Sequence, residues 1–351
     1  TLEYSIFKLK NGLKVLLLKR PEKYTSGASI LFKAGSIYEN EKTSGISHFF
    51  EHLIFKGTKS YPTEESVRER EIDLGVEDNA ETGYDNVHLK ASFPSSELKS
   101  SLGFLKELAF RSLLPGIEKE REVLLSEEGL RRDNIWVELW DLTLRTRFIG
   151  KNPLRLPREG LPSSIRKIAK EEIDKAYALH AKASNSFLTI VGNHNLEKLK
   201  AYVEDTFGEV DKGKEIKEPD TSKISGYKVS SIFKDFKQVY LSFNFPYFPS
   251  QDLVEKWRYS FVMSLLSETF YRKLVLELGL VHTARYEIET LTNVNRLPVL
   301  SVVCSPYNVE KIIAIILGEL ERVKKEGFYG KFFERFRSIG NKTLPMNFDS
   351  I

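Results

Sequence analysis

The sequence predicts an α+β fold built as two similar domains, and three observations carry that reading. At 351 residues the chain is longer than one hydrophobic core usually holds. Strand-like and helix-like segments alternate in mixed order, and the order repeats loosely in the second half. Between the halves lies a polar, charged stretch, residues 211–227 (DKGKEIKEPDTSKISGY), whose only large apolar residues are two Ile and a terminal Tyr. That composition reads as an interdomain linker. We place the domains at 1–213 and 219–351, with 214–218 as the linker itself.

Residues 4–10 and 13–19 are β-rich runs separated by Asn11-Gly12, the strongest short hairpin signal. A third strand is expected at 28–34, closed by Gly35-Ser36. From Thr43 the period changes: Ser44 is the expected N-cap of a helix over 46–55, with Gly57 as its stop. Thr63, followed by two Glu, caps a second helix that runs to about Leu74. Residues 85–93 alternate as a strand, 95–113 read as a helix, and 117–145 as one long, charged, amphipathic helix. A strand at 187–191 leads through Gly192-Asn193 into a helix at 196–207. Beyond the polar stretch the expectation is a strand at 239–245, a helix at 253–278, a strand at 299–303 entered through Pro298, and a helix at 308–325.

Composition excludes several classes. Hydrophobic residues make up 41% and charged residues 29%, a globular balance that argues against disorder. The net charge of +4 is too small to draw nucleic acid or anionic lipid. No run of 18 apolar residues is present, so no membrane span is expected. The single cysteine, Cys304, has no internal disulfide partner and reads as a small buried hydrophobe. The chain begins at Thr1 without a signal-like segment, which leaves room for a targeting peptide already removed. A prokaryotic cytoplasm or periplasm is the expected compartment, and scarce Gln and Met beside heavy Lys and Glu use lean towards a thermophile.

The chemistry concentrates in residues 45–53, GISHFFEHL. His48 and His52 are four apart, so on an α-helix they project about 40° from one another and both imidazoles can reach one metal ion. Glu51 projects from the same side and can take a proton from a metal-bound water without being a ligand. This is the inverted zincin pattern H-x-x-E-H. Chance would produce it about 0.01 times in a chain with six His, which weighs against a surface helix with two solvated His. A catalytic zinc needs a third protein ligand and an open fourth position. The segment at 117–145 offers Glu118, Glu120, Glu122, Glu127 and Glu128. Glu120 and Glu127 are two turns apart on one face, so one could bind the metal while the other supports it. Spacing alone does not choose, because Glu-rich helices are usually solvated faces.

These residues resemble the inverted-zincin metallopeptidases related to pitrilysin, insulin-degrading enzyme and the mitochondrial processing peptidase. The resemblance runs, in the family's order, through Asn11-Gly12-Leu13, Ala34-Gly35-Ser36 with Glu39, residues 45–58 (GISHFFEHLIFKGT) and Asn79-Ala80-Glu81-Thr82. It continues through residues 118–123 (EKEREV) with Glu127, then Tyr177, Val191-Gly192 and Gly279-Leu280. It implies half of a clamshell chamber, with one zinc ion per chain held by His48, His52 and Glu127. It also implies Glu51 as general base and Glu120 as an accessory acid. Asn79 and Ala80 match a strand edge on which extended substrate pairs its backbone. The implied activity is a zinc-dependent endopeptidase acting on peptides or unfolded segments. The layout is similar to the small two-domain, zinc-binding subunits of prokaryotic processing-peptidase-like heterodimers.

One departure stands out. Many relatives carry an Arg seven residues before a Tyr around the Gly-Leu turn, whereas the matching positions here are Val275 and His282; Arg285-Tyr286 lies nearby at the wrong spacing. The departure implies a second subunit of the same fold that supplies the pair. A self-sufficient homodimer and a catalytically silent scaffold, as in respiratory-complex core subunits, are the alternatives. The second domain is also short for the family, as if it stopped before a final helical segment. Among the other histidines, His88 reads as a strand residue with a structural or exposed role. His180 and His194 read as solvent-facing near turns, and His282 as a candidate polar contact in place of the Tyr. Residues 245–249 (FPYFP) read as core or interface packing.

Overall fold

A computed structural model describes residues 3–247, 252–292 and 295–349. The chain divides between Tyr227 and Lys228 into two units. In the first, β1 (Glu3–Lys8) and β2 (Lys14–Lys19) form the expected antiparallel hairpin. Asn11 does more than turn the chain: its Oδ1 accepts from Leu13 N, and its Nδ2 donates to the carbonyls of Phe207 and Val210. Next come β3 (Thr25–Phe32), α1 (Ile46–Leu53), α2 (Glu64–Leu74), β4 (Glu77–Thr82), β5 (Val87–Pro94) and α3 (Leu98–Phe110). They are followed by α4 (Ile117–Arg132), α5 (Ile135–Arg147), α6 (Pro162–Ile165), α7 (Lys170–His180), β6 (Ser186–Gly192) and α8 (Leu196–Phe207). The six strands lie in the order β1-β2-β6-β3-β5-β4, antiparallel except for the β2–β6 pair. Alternate residues of β3 and β6 point into a core that also takes Phe49, Phe50 and Leu53 from α1. This core clamps α1 against the sheet, and fully burying a residue of this size stabilises by roughly 2 kcal/mol.

One expectation changes here. The helix expected over 117–145 is two helices, because the chain breaks at Asp133-Asn134, both weak helix formers that favour caps. The Asn134 side chain accepts from Trp136 N at 3.0 Å and starts α5 afresh. The strand β4 has little alternation to betray it, since only Ala80 in EDNAET is fully buried. The polar stretch after α8 lies along the first unit. Ala183 N and Ser184 N donate to the carbonyls of Asp211 and Lys212, Asn152 Nδ2 to those of Thr221 and Lys223, and Ser225 N to that of Arg147.

The second unit holds β7 (Val239–Asn244), α9 (Leu253–Tyr271), β8 (Ala284–Thr290), β9 (Arg296–Cys304), α10 (Val309–Glu326) and α11 (Gly330–Asp349). Its antiparallel sheet runs β7-β9-β8. The single helix expected over 253–278 gives way at Arg272–Glu277 to a π-helical turn. Pro298 lies inside β9 rather than before it, one residue beyond the end of its register with β7. Cys304 is buried in β9, as its apolar run suggested. Phe245 packs on Phe270 and Tyr286, while Phe248 and Pro249 of the FPYFP run lie outside the described residues. Among the described residues, no helix is long and apolar enough to cross a membrane.

Candidate metal centre

The helix α1 begins at Gly45 in the left-handed region, without the side-chain cap expected of Ser44. Glu39 supplies the cap instead: its two carboxylate oxygens accept from Gly45 N and Ser47 N, each at 2.7 Å. An anionic group there suits the positive end of the helix, although burial pushes its pKa up. Phe49, Phe50 and Leu53 take the core side of α1, which turns His48 and His52 towards α4 with their rings 4.7 Å apart.

From α4, Glu127 Oε2 reaches within 3.7 Å of His48 Nε2 and 3.6 Å of His52 Nε2. The three ligand atoms lie within 4.8 Å of one another. A tetrahedral zinc with ligand bonds of 2.0–2.1 Å spaces its ligand atoms by about 3.4 Å, so the donor set fits in both chemistry and spacing. Both distal nitrogens are engaged as well. His52 Nδ1 lies 3.2 Å from Glu120 Oε2, and His48 Nδ1 lies 3.2 Å from the Glu159 carbonyl. Glu120 is buried and paired through its other oxygen with Lys56 Nζ at 3.0 Å. Burial, reinforced by the neighbouring His52, pushes the pKa of His48 down to about 4, so it is neutral and able to coordinate near pH 7. Glu51 stands 3.9 Å from His48 Nε2 and accepts a 2.8 Å hydrogen bond from Thr82 Oγ1. Burial raises its pKa against the pull of Thr82 and His52.

The remaining glutamates of α4 are engaged elsewhere or exposed. Glu118 pairs with Arg121, Glu128 is buried under Arg131 and Arg132, and Glu122 is exposed. Asn79 and Ala80 lie on β4, the outermost strand of the sheet, with Asn79 exposed and Ala80 turned inward. In the second unit, Val275 packs against the local core and His282 is exposed just before β8. Two histidines differ from expectation. His180 is buried, with Nδ1 2.5 Å from the Lys33 carbonyl, and His194 is half-buried, with Nε2 2.6 Å from Ser26 Oγ. Tertiary contacts cover both, and turn chemistry does not reveal such contacts. Lys56 and Glu159 carried no signal of their own in the sequence.

Residues 14–145 match the family profile "Insulinase (Peptidase family M16)", and residues 167–338 match "Peptidase M16 inactive domain". A Rickettsia felis protein described as an uncharacterized zinc protease is 29% identical over 73% of this chain and 61% of its own length. The β subunit of the Saccharomyces cerevisiae mitochondrial-processing peptidase is 29% identical over 58% of this chain and 44% of its own. Subunit 1 of the Bos taurus cytochrome b-c1 complex is 29% identical over 54% and 39%. The chain thus spans at most about three-fifths of the length of these relatives. A protease from Helicobacter pylori has the same fold, with a TM-score of 0.84 at 21% identity over 99% of this chain and 86% of that one.

Proposed function

The chain belongs to the insulinase family of peptidases, family M16, and on that footing we propose that it is a zinc-dependent endopeptidase subunit acting on peptides or unfolded polypeptide segments. The observation that carries the reading is the convergence of His48, His52 and Glu127 beside a half-buried Glu51 that stays outside the ligand set. These three residues would hold one zinc ion. Zinc, when bound, supplies a Lewis acid that polarises a carbonyl and makes water acidic near neutral pH.

The chain's own residues do the rest. Glu51, its carboxylate oriented by Thr82, accepts a proton from the attacking water and returns it to the leaving amine. A raised pKa makes it a better base than a solvated carboxylate. Glu120, held by Lys56, keeps His52 turned so that Nε2 faces Glu127. Asn79 and Ala80 on the outer strand offer free backbone to an extended substrate, a mode that reads few side chains. Residues 1–213 form the catalytic domain in this reading and 219–351 a similar domain without its own metal site. A partner subunit of the same fold supplies the Arg and Tyr whose positions Val275 and His282 occupy.

A second reading, a silent scaffold, draws support from the cytochrome b-c1 relative. The presence of both imidazoles, Glu127 and a base held by Thr82 favours the enzyme. The deciding experiment measures hydrolysis of a quenched peptide with and without a co-purified second chain, with zinc content in parallel. We expect one zinc per chain and activity in the mixture that Glu51→Gln removes. A chain without zinc, in a mixture indifferent to Glu51→Gln, overturns the reading. Full activity from the lone chain removes only the partner.

A further inference from the structure

The two imidazoles are steadied by different means. His52 leans on a side chain of α4, whereas His48 leans on the backbone carbonyl of Glu159, in the connection between α5 and α6. A carbonyl can only accept, so this contact puts the proton of neutral His48 on Nδ1 and leaves the Nε2 lone pair facing Glu127. Residues 146–166 fall between the two family-profile matches, so neither match accounts for this contact.

The approach depends on Gly160. Its φ is +101°, and a Cβ there would lie 2.5 Å from Gly45 Cα, 2.8 Å from Gly45 N and 2.9 Å from Ser44 O. Residues 159–160 therefore rest backbone to backbone on Ser44 and Gly45, at the start of α1. Two hydrogen bonds fasten residues 157–165 there: Leu161 N donates to Ser44 Oγ at 3.1 Å, and Ser164 Oγ donates to the Lys42 carbonyl at 2.6 Å. The same segment is tied to α4. The Arg121 guanidinium donates to the carbonyls of Ile165 and Ile168, and Arg131 Nε lies 3.7 Å from the Glu159 carboxylate while also pairing with Glu128 and Asp141.

We infer that residues 157–165 are a working part of the metal centre, with Gly160 as the positioning residue that sets the Glu159 carbonyl against His48. The segment is a strap between the helix that carries both imidazoles and the helix that carries Glu127. The inference rests on the metal reading above.

The test is Gly160→Ala in the full chain, with Gly150→Ala as control. Gly150 also has a positive φ, but a Cβ there meets nothing within 4 Å, so it reports backbone strain without displacing the strap. Zinc affinity is measured by competition with a chromophoric chelator. The His48 tautomer is read in metal-free protein from long-range 15N–1H spectra of labelled histidine. We expect Gly160→Ala to weaken zinc roughly ten-fold and to lose the Nδ1–H signature of His48, while Gly150→Ala changes neither. Should Gly160→Ala fail to fold, Ser44→Ala, which removes only the acceptor for Leu161 N, should move both readouts in the same direction by less. A parent chain that binds zinc, with variants that bind it equally and keep the tautomer, overturns the strap alone. A parent chain that binds no zinc overturns the metal reading and the strap with it.

Discussion

The two units share an architecture of helices packed on a mostly antiparallel sheet, yet they differ in what they bury. The first buries Glu107, Glu120, Arg121, Glu128 and His48 beneath a six-stranded sheet. Among the described residues of the second, the buried polar side chains are Thr269 and Thr292, and no charged one is buried. Burying charge is costly unless it is paired, and the first unit pairs its buried carboxylates: Glu107 with Arg111, Glu120 with Lys56, and Glu128 with Arg131 and Arg132. The difference teaches that sheet and helix make the fold in both units, while the polar network makes the site in one.

Substitutions can break that comparison, and the largest effect belongs to the base. Glu51→Gln should lower kcat/KM about 10³-fold in peptide hydrolysis while zinc content stays at the parent level. Loss of zinc in that variant would place Glu51 among the ligands. Two neighbours on α4 come next. Glu127→Gln should weaken zinc on the order of 100-fold, judged against the 10–100-fold of second-shell losses, with little change in unfolding because the side chain is half exposed. Glu128→Gln should leave zinc affinity alone but cost about 3 kcal/mol in denaturant unfolding, since it removes the buried carboxylate that two guanidinium groups share, while Arg131 keeps Asp141. Zinc removal sharpens the contrast between units. At a hundredfold excess over Kd, zinc should stabilise by about 2.7 kcal/mol. Calorimetry with and without chelator should show the shift in the first unit's transition and none in the second's.

The smallest effect concerns pH. Burial, with Glu71 beside it, pushes Asp78 up to about 7, and its Oδ2 has no hydrogen-bond partner. The folded state therefore holds a proton that the unfolded chain releases near pH 4. The stability that Asp78 contributes is fully present below that value and is lost as pH rises through 7. Asp78→Asn should remove this slope and stabilise the first unit at pH 8 by on the order of 2 kcal/mol. An unchanged slope in Asp78→Asn would assign the titration to another group.

Local signals were legible where the chemistry is local. The Asn11-Gly12 hairpin, the Thr63 cap with its Ser66 partner and the helix at Leu196–Phe207 all follow from nearest neighbours in sequence. So does the pairing of His48 with His52, because the helical repeat brings them together. What needed the rest of the molecule was hidden. Helical periodicity leaves the glutamates of α4 unseparated, and only the family resemblance pointed to Glu127; which one faces the imidazoles depends on how α4 rolls against α1. The polar β4 is a strand because β5 pairs with it, and Glu39 caps α1 from six residues before Gly45. Glu159 is reached only through the close contact of Gly160 with Gly45.

The sheet order has a kinetic consequence. β2 and β3 are consecutive in the chain, yet β6 lies between them, pairing Lys14 with Phe187 on one side and Gly27 with Val191 on the other. Until Gly192 has left the ribosome, the nascent first unit is two separate sheet fragments, each with an open inner edge that can pair with a neighbouring chain. The helix α1 leads from one fragment's β3 to the same fragment's β4, so it is made early but gains its full hydrophobic backing late. Such long-range closure folds slowly and exposes edges for longer. Expression cut short between β5 and β6 should therefore yield aggregate rather than a weak metal binder, and co-expressed chaperones should matter most in that interval.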